Sequence, residues 1–160
     1  ELIEPQGSIA PYVPSPMDVV NKMLELAELK HGEVLYDLGS GDGRIVHSAA
    51  KLFNAKAVGV EILERLVEES NRVAEELGVS DSVKFICGNI FDVNLGSADV
   101  VTMYLLTSSN EKIRGKLESE LKPGARVVTH DFPITYWDHK TLVEFAGSSG
   151  KHVLYLYVHA

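Results

Sequence analysis

From residue 33 onward the apolar positions switch between two periods, and the switching predicts strands and helices in turn. Apolar runs at 34–38, 57–61, 83–87, 98–106 and 125–130 read as strands. Helical periods cover about 44–53, 63–77 and 110–121, the second with Leu66, Val67, Ser70, Val73, Ala74 and Leu77 inward and Glu and Arg outward. Gly78 stands where a helix cap is expected, and Lys122-Pro123-Gly124 is a helix stop. The run 98–106 is almost unbroken in apolar residues, as a central parallel strand covered on both faces should be. Two last runs, 141–145 and 152–158, are separated by Gly147-Ser148-Ser149-Gly150, too short for a helical crossover, so that pair is read as antiparallel.

Ahead of this alternation, Ser15-Pro16-Met17-Asp18 reads as a helix start, with Ser15 as N-cap and Pro16 at the first helical position. Val19, Val20, Met23, Leu24, Leu26, Ala27 and Leu29 carry its apolar face to about Lys30. Residues 1–14 hold Pro5, Pro11 and Pro14 and no helical period, which predicts an extended N-terminal arm on a single domain spanning 1–160. The fold class is α/β: a doubly wound, mainly parallel sheet of seven strands with helices on both faces and an antiparallel C-terminal pair.

Ligands of such sheets bind beyond the carboxyl ends of the strands, at the switch point. That rule selects Asp37 to Gly43, Glu61 with Ile62, Asn89 with Ile90, Tyr104 to Ser108, and Asp131 with Phe132. In the first group Gly39, Gly41 and Gly43 alternate with Ser40 and Asp42, letting the backbone turn sharply and approach a bound molecule. A turn without a ligand needs one or two glycines rather than three. A dinucleotide loop, G-x-G-x-x-G, would place its third glycine at Arg44, and Asp37 would repel a pyrophosphate. A cofactor with an amino-acid end and no phosphates fits better, and S-adenosylmethionine is such a cofactor. Glu61 can accept hydrogen bonds from a ribose diol, a role it would serve equally for NAD. Asn89 offers a donor and an acceptor to an adenine edge, or else forms a turn after Gly88, and Ile62 and Ile90 can sandwich the ring. Tyr104 can wall the reacting centre or pack in the core.

Composition narrows the partners. With 15 Lys and Arg against 23 Asp and Glu, the net charge of −8 disfavours stable binding to a nucleic-acid backbone and suits a basic partner, though solubility alone also explains it. Cys87 is the single cysteine, so no disulfide framework or thiolate cluster is expected, and the six histidines show no H-x-x-x-H spacing, so a metal-free site is the expectation. No apolar run is long enough to cross a bilayer, and residues 1–4 do not resemble a signal peptide, which predicts a cytoplasmic protein away from membranes.

Asp37-Leu38-Gly39-Ser40-Gly41-Asp42-Gly43, Glu61 at the end of the second strand and Gly88-Asn89-Ile90-Phe91 resemble the class I, seven-stranded S-adenosylmethionine-dependent methyltransferases. Tyr12-Val13-Pro14-Ser15-Pro16, Tyr36 to Ile45, Thr102-Met103-Tyr104-Leu105-Leu106-Thr107 and Leu121 to Val128 are more narrowly similar to the small archaeal protein lysine methyltransferases and their mitochondrial kin. The resemblance implies methyl transfer to lysine side chains of proteins with broad substrate choice. It implies a cofactor site lined by Tyr12, Val13, Ser15, Asp37, Gly39, Glu61 and Asn89, the last standing where many members carry Asp. Ser40, Gly41, Ile62, Ile90 and Tyr104 complete the expected cofactor set. Tyr12, Tyr104 and Phe132 are the candidates for a lysine channel, where desolvation would lower the amine pKa without a dedicated base. Glu120, His130 and Asp131 are available as proton acceptors, none singled out. No cap domain remains to enclose a small molecule, and an open site suits a side chain presented by a macromolecule; basic, lysine-rich protein substrates and a monomeric enzyme are the expectation. The alternatives are a small-molecule or RNA methyltransferase, or a non-catalytic module that binds the cofactor.

Overall fold

The computed structural model describes residues 14–160. Tyr12, Val13 and the arm as far as residue 13 lie outside the described residues. Strands β1 (Val34–Leu38), β2 (Lys56–Glu61), β3 (Val83–Cys87), β4 (Val100–Met103), β5 (Arg126–His130), β6 (Thr141–Gly147) and β7 (Gly150–Val158) alternate with helices α1 (Met17–Leu26), α2 (Arg44–Phe53), α3 (Glu64–Glu76) and α4 (Thr107–Glu120). They form one seven-stranded sheet in the order β3-β2-β1-β4-β5-β7-β6. The first five strands run parallel and β7 is antiparallel to both β5 and β6, as the sequence predicts. Chain order reverses between β1 and β4, which places the switch point at the ends of those two strands.

Because side chains alternate along a strand, each sheet face collects every second residue. One face packs Leu38, Val60, Val101, Met103 and Val127 against Ile113 and Leu117 of α4. The other packs Leu35, Val100 and Val128 against Val19, Met23 and Leu24 of α1 and Val46 and Ala49 of α2. Period two puts Asp37 on the face of Leu35, Thr102 on that of Val100, and His130 on that of Val128. Three polar residues therefore line the α1 side of the sheet at its carboxyl edge.

Several boundaries differ from the sequence reading. The apolar run 98–106 pairs only over Val100–Met103, because β1 and β5 offer their last partners, Leu38 and Thr129, opposite Met103. Tyr104 leaves the sheet, Leu105 turns into the core, and α4 begins at Thr107, three residues before the expected start at Asn110. Asn110 is instead buried, its Nδ2 donating to the carbonyls of Phe132 and Pro133 at 2.9 and 3.1 Å, which fixes the loop after β5. Helix α1 stops at Leu26, short of Lys30. There Arg126 Nε donates to the Ala27 carbonyl at 3.0 Å and its guanidinium pairs with Glu33, satisfying the helix end from outside. Pro16 occupies the N-cap position in place of Ser15, whose hydroxyl bonds elsewhere.

The C-terminal hairpin is tighter than expected. Gly147 pairs with Gly150, leaving Ser148-Ser149 as a two-residue turn. Asp18 on the first turn of α1 accepts from the Ser148 amide at 2.8 Å and so anchors the hairpin tip. On the opposite face the Tyr157 hydroxyl accepts from the buried Ile134 amide at 2.9 Å. Tyr157→Phe leaves that amide without a partner and is predicted to lower stability by about 1–3 kcal/mol, read as a drop in the denaturant midpoint with unchanged slope.

Candidate active site

The turn after β1 is built as its glycines require. Gly39, Gly41 and Gly43 have φ of +81, +56 and +85°, a region that disfavours any side chain. The amides of Gly39 and Ser40 both donate to the Val60 carbonyl, at 2.8 and 2.9 Å, tying the turn to β2. Gly59 makes this approach possible. A Cβ there would lie 2.6 Å from Ser40 Oγ and 2.8 Å from Phe85 Cδ1. Gly59→Ala is therefore predicted to push Ser40 and the turn outward, lowering stability by about 1–3 kcal/mol and weakening cofactor binding. Unfolding and thermal-shift titrations check both effects.

Asp37 lies in β1 just before this turn, 3% exposed, and Thr102 Oγ1 donates to its Oδ1 at 2.8 Å. Burial pushes its carboxyl up to about 7, the Thr102 hydrogen bond opposing the rise and nearby Glu61 and Asp42 adding to it. A carboxylate so placed favours a cation beside it. Across the pocket, Arg44 donates to the Ser15 carbonyl at 3.1 Å and pairs with Asp42 at 2.6 Å, joining the start of α1 to the turn. Tyr104 stacks on His130 with ring centroids 4.0 Å apart and on Phe132 at 6.1 Å. Burial, and then the charge of Asp131, raise the Tyr104 hydroxyl above its usual range. Burial also pushes His130 down to about 4 against the pull of Asp131, so its imidazole is neutral at pH 7.

One pocket brings together Ser15, Asp37, Gly39, Ser40, Gly41 and Tyr104 among the residues selected from sequence. Glu61, Ile62, Asn89 and Ile90 stand apart at the ends of β2 and β3. Glu61 is fully buried, its Oε1 accepting from the Gly41 amide at 2.9 Å and its Oε2 from the Leu63 amide at 3.0 Å. Both of its carboxyl oxygens are therefore occupied by backbone amides. Asn89 Oδ1 accepts from the Phe91 amide at 2.9 Å, the turn-forming role, which leaves its amide nitrogen for an adenine edge. Ile90 is buried in the core beneath that position, while Ile62 stays half-buried. Sequence reasoning missed Thr102, Gly59, Arg44 and Ile45. Thr102 carried one available sign, a hydroxyl inside an apolar strand.

Among the described residues no helix is long and apolar enough to cross a membrane. The architecture recurs in known proteins. A solved structure described as an RNA methyltransferase from Salinibacter ruber in complex with S-adenosyl-L-homocysteine superposes with a TM-score of 0.87 at 44% identity, covering 91% of this chain and 93% of that one. A protein-lysine N-methyltransferase of Saccharolobus islandicus is 48% identical over 149 residues, 92% of each chain. The adenine nucleotide translocase lysine N-methyltransferase of Mus musculus is 35% identical over 83% of this chain, which spans 58% of that protein's length. Sheet order, turn and these likenesses define a class I S-adenosylmethionine-dependent methyltransferase. Residues 37–141 match the model of the ANTKMT methyltransferase domain, and the chain belongs to that family.

Proposed function

We propose that this enzyme transfers methyl groups from S-adenosylmethionine to lysine side chains of proteins, with basic, lysine-rich proteins as substrates. The observation that carries the reading is the 48% identity, along 92% of both chains, to a protein-lysine N-methyltransferase. We take residues 1–160 as one methyltransferase domain of archaeal type, monomeric, acting in the cytoplasm and bound stably to neither membrane nor nucleic acid.

The chain's residues fit the cofactor. Asp37 offers a buried carboxylate to a cationic amino-acid end, and Ser40 Oγ is buried without a hydrogen-bond partner among the described residues. The amides of Gly39 and Ser40 tie the turn to the Val60 carbonyl and that of Gly41 to Glu61, which holds the backbone of 39–41 in place along the pocket. Ser15, Asp37 and the 39–41 turn would hold the amino-acid end, with Glu61, Ile62, Asn89 and Ile90 toward the nucleoside. Tyr12 and Val13 complete the proposed set from outside the described residues. When bound, the cofactor supplies an electrophilic methyl group on a sulfonium. The protein's own contribution is alignment, which is worth up to ~7–11 kcal/mol of barrier in well-oriented reactions. Tyr104 and Phe132 form an aromatic wall whose desolvation lowers the pKa of an entering lysine ammonium and yields the neutral amine. Tyr12 is proposed as the third member of that wall.

The Salinibacter structure makes RNA the competing acceptor. The net charge of −8 weighs against it. Incubation of cell extract with methyl-labelled cofactor separates the two. Label removed by protease and retained after nuclease supports lysine transfer, and the reverse pattern overturns it.

A further inference from the structure

At the carboxyl end of β5 three side chains outside the cofactor turn converge. His130 Nε2 lies 2.8 Å from His152 Nδ1, and Asp131 Oδ2 lies 3.5 Å from the first and 3.7 Å from the second. We infer that His130, Asp131 and His152 form a binding site for one zinc-class divalent cation, clamping the end of β5 to strand β7 beside the active-site pocket.

The geometry suits such an ion. Ligand atoms about 2.0–2.1 Å from a tetrahedral zinc stand roughly 3.3 Å from one another, and the three separations bracket that value. Two imidazoles with one carboxylate select a borderline first-row ion such as Zn2+ over Mg2+ or Ca2+, which favour oxygen ligands. A fourth position is left to water.

The outer atoms of all three side chains are already held, as the partners of metal ligands usually are. His130 Nδ1 bonds Ser15 Oγ at 2.9 Å, and His152 Nε2 bonds Ser149 Oγ at 2.8 Å. Asp131 Oδ1 accepts from the Val153 amide at 3.0 Å, and the Asp131 amide donates to the Val153 carbonyl at 2.7 Å. Asp131 adopts φ of +62°, an unusual backbone setting that turns its other oxygen toward the two rings. One proton lies between the rings in the metal-free protein. Binding needs no net proton loss: His130 can carry its proton on Nδ1, with Ser15 Oγ turning from donor to acceptor. Because Ser15 lines the pocket and Tyr104 stacks on His130, the ion would brace the pocket wall from behind.

Equilibrium dialysis of untagged, chelator-treated protein against Zn2+, with elemental analysis, tests the site. One zinc per chain is expected, with Mg2+ failing to compete. His152→Ala, at the half-buried sheet edge, should abolish binding, and Asp131→Asn, which keeps the oxygen facing Val153, should weaken it at least tenfold. Ser149→Ala should weaken it by about tenfold. Co2+ in place of Zn2+ should give visible absorption bands that disappear in His152→Ala. No zinc retained, or zinc retained equally by folded His152→Ala and Asp131→Asn proteins, overturns the proposal. The latter result would assign the ion to other histidines.

Discussion

Asp37→Asn is expected to abolish detectable cofactor binding and methyl transfer while leaving the protein folded. The native carboxyl is 3% exposed and titrates at about 7 against its ordinary 3.8, chiefly through burial. A folded-state pKa raised in this way means that the folded protein holds the proton to higher pH than the unfolded chain does. Stability is then greatest below pH 4 as far as this group is concerned, and is lost as pH rises to about 7. The loss is on the order of 4 kcal/mol, taking 1.36 kcal/mol per pH unit. Asparagine keeps the oxygen that accepts from Thr102 and removes the buried charge, so the cofactor-free variant should melt higher than the native protein at pH 8 and no lower at pH 5.

A cationic ligand reverses the balance by favouring the ionised carboxyl. Native affinity for S-adenosylmethionine should be about tenfold weaker at pH 6 than near pH 8, where Asp37 is already ionised. In the native protein, cofactor at ~100 times its dissociation constant adds about 2.7 kcal/mol, a shift of several degrees in melting point. Asp37→Asn should show none. A retained shift would remove Asp37 from the cofactor site.

Glu61→Ala is expected to be the most destabilising single change at the site. Glu61 is fully buried and accepts from the amides of Gly41 and Leu63, one in the glycine turn and one leading into α3. Hydrogen bonds to charged groups contribute ~1.5–3 kcal/mol each, so truncation should remove about 3–6 kcal/mol. That is a large part of the ~5–15 kcal/mol by which domains are stable. Denaturant unfolding without cofactor reads this directly. A midpoint unchanged by Glu61→Ala would show that the carboxylate serves ligand alone and that the turn holds itself.

The β1 turn and the alternation of strands were readable because local rules decide them. Three glycines at alternate positions admit few backbones, and Asp37 breaks an apolar run where a core strand would not. Other features depend on register, which local patterns do not encode. Thr102 faces Asp37 because β4 pairs beside β1 across 65 residues, and His130 meets His152 only through the antiparallel β5–β7 pair. Residues 104–106 look like strand because they are apolar, yet their neighbours end, so Tyr104 leaves the sheet to line the pocket and Leu105 turns into the core. Glu61 was selected for its place at a strand end. Its burial against two backbone amides follows from how closely the glycine turn descends onto β2.

Lysine side chains of proteins are the expected acceptors of the methyl group. Peptide mass spectrometry of lysine-rich proteins incubated with this enzyme and S-adenosylmethionine tests this most directly, with the Asp37→Asn enzyme as control. Methyl-sized increments confined to lysines and absent from the control are the predicted result. Increments on no protein residue, from enzyme whose melting point still rises with the cofactor, would contradict it.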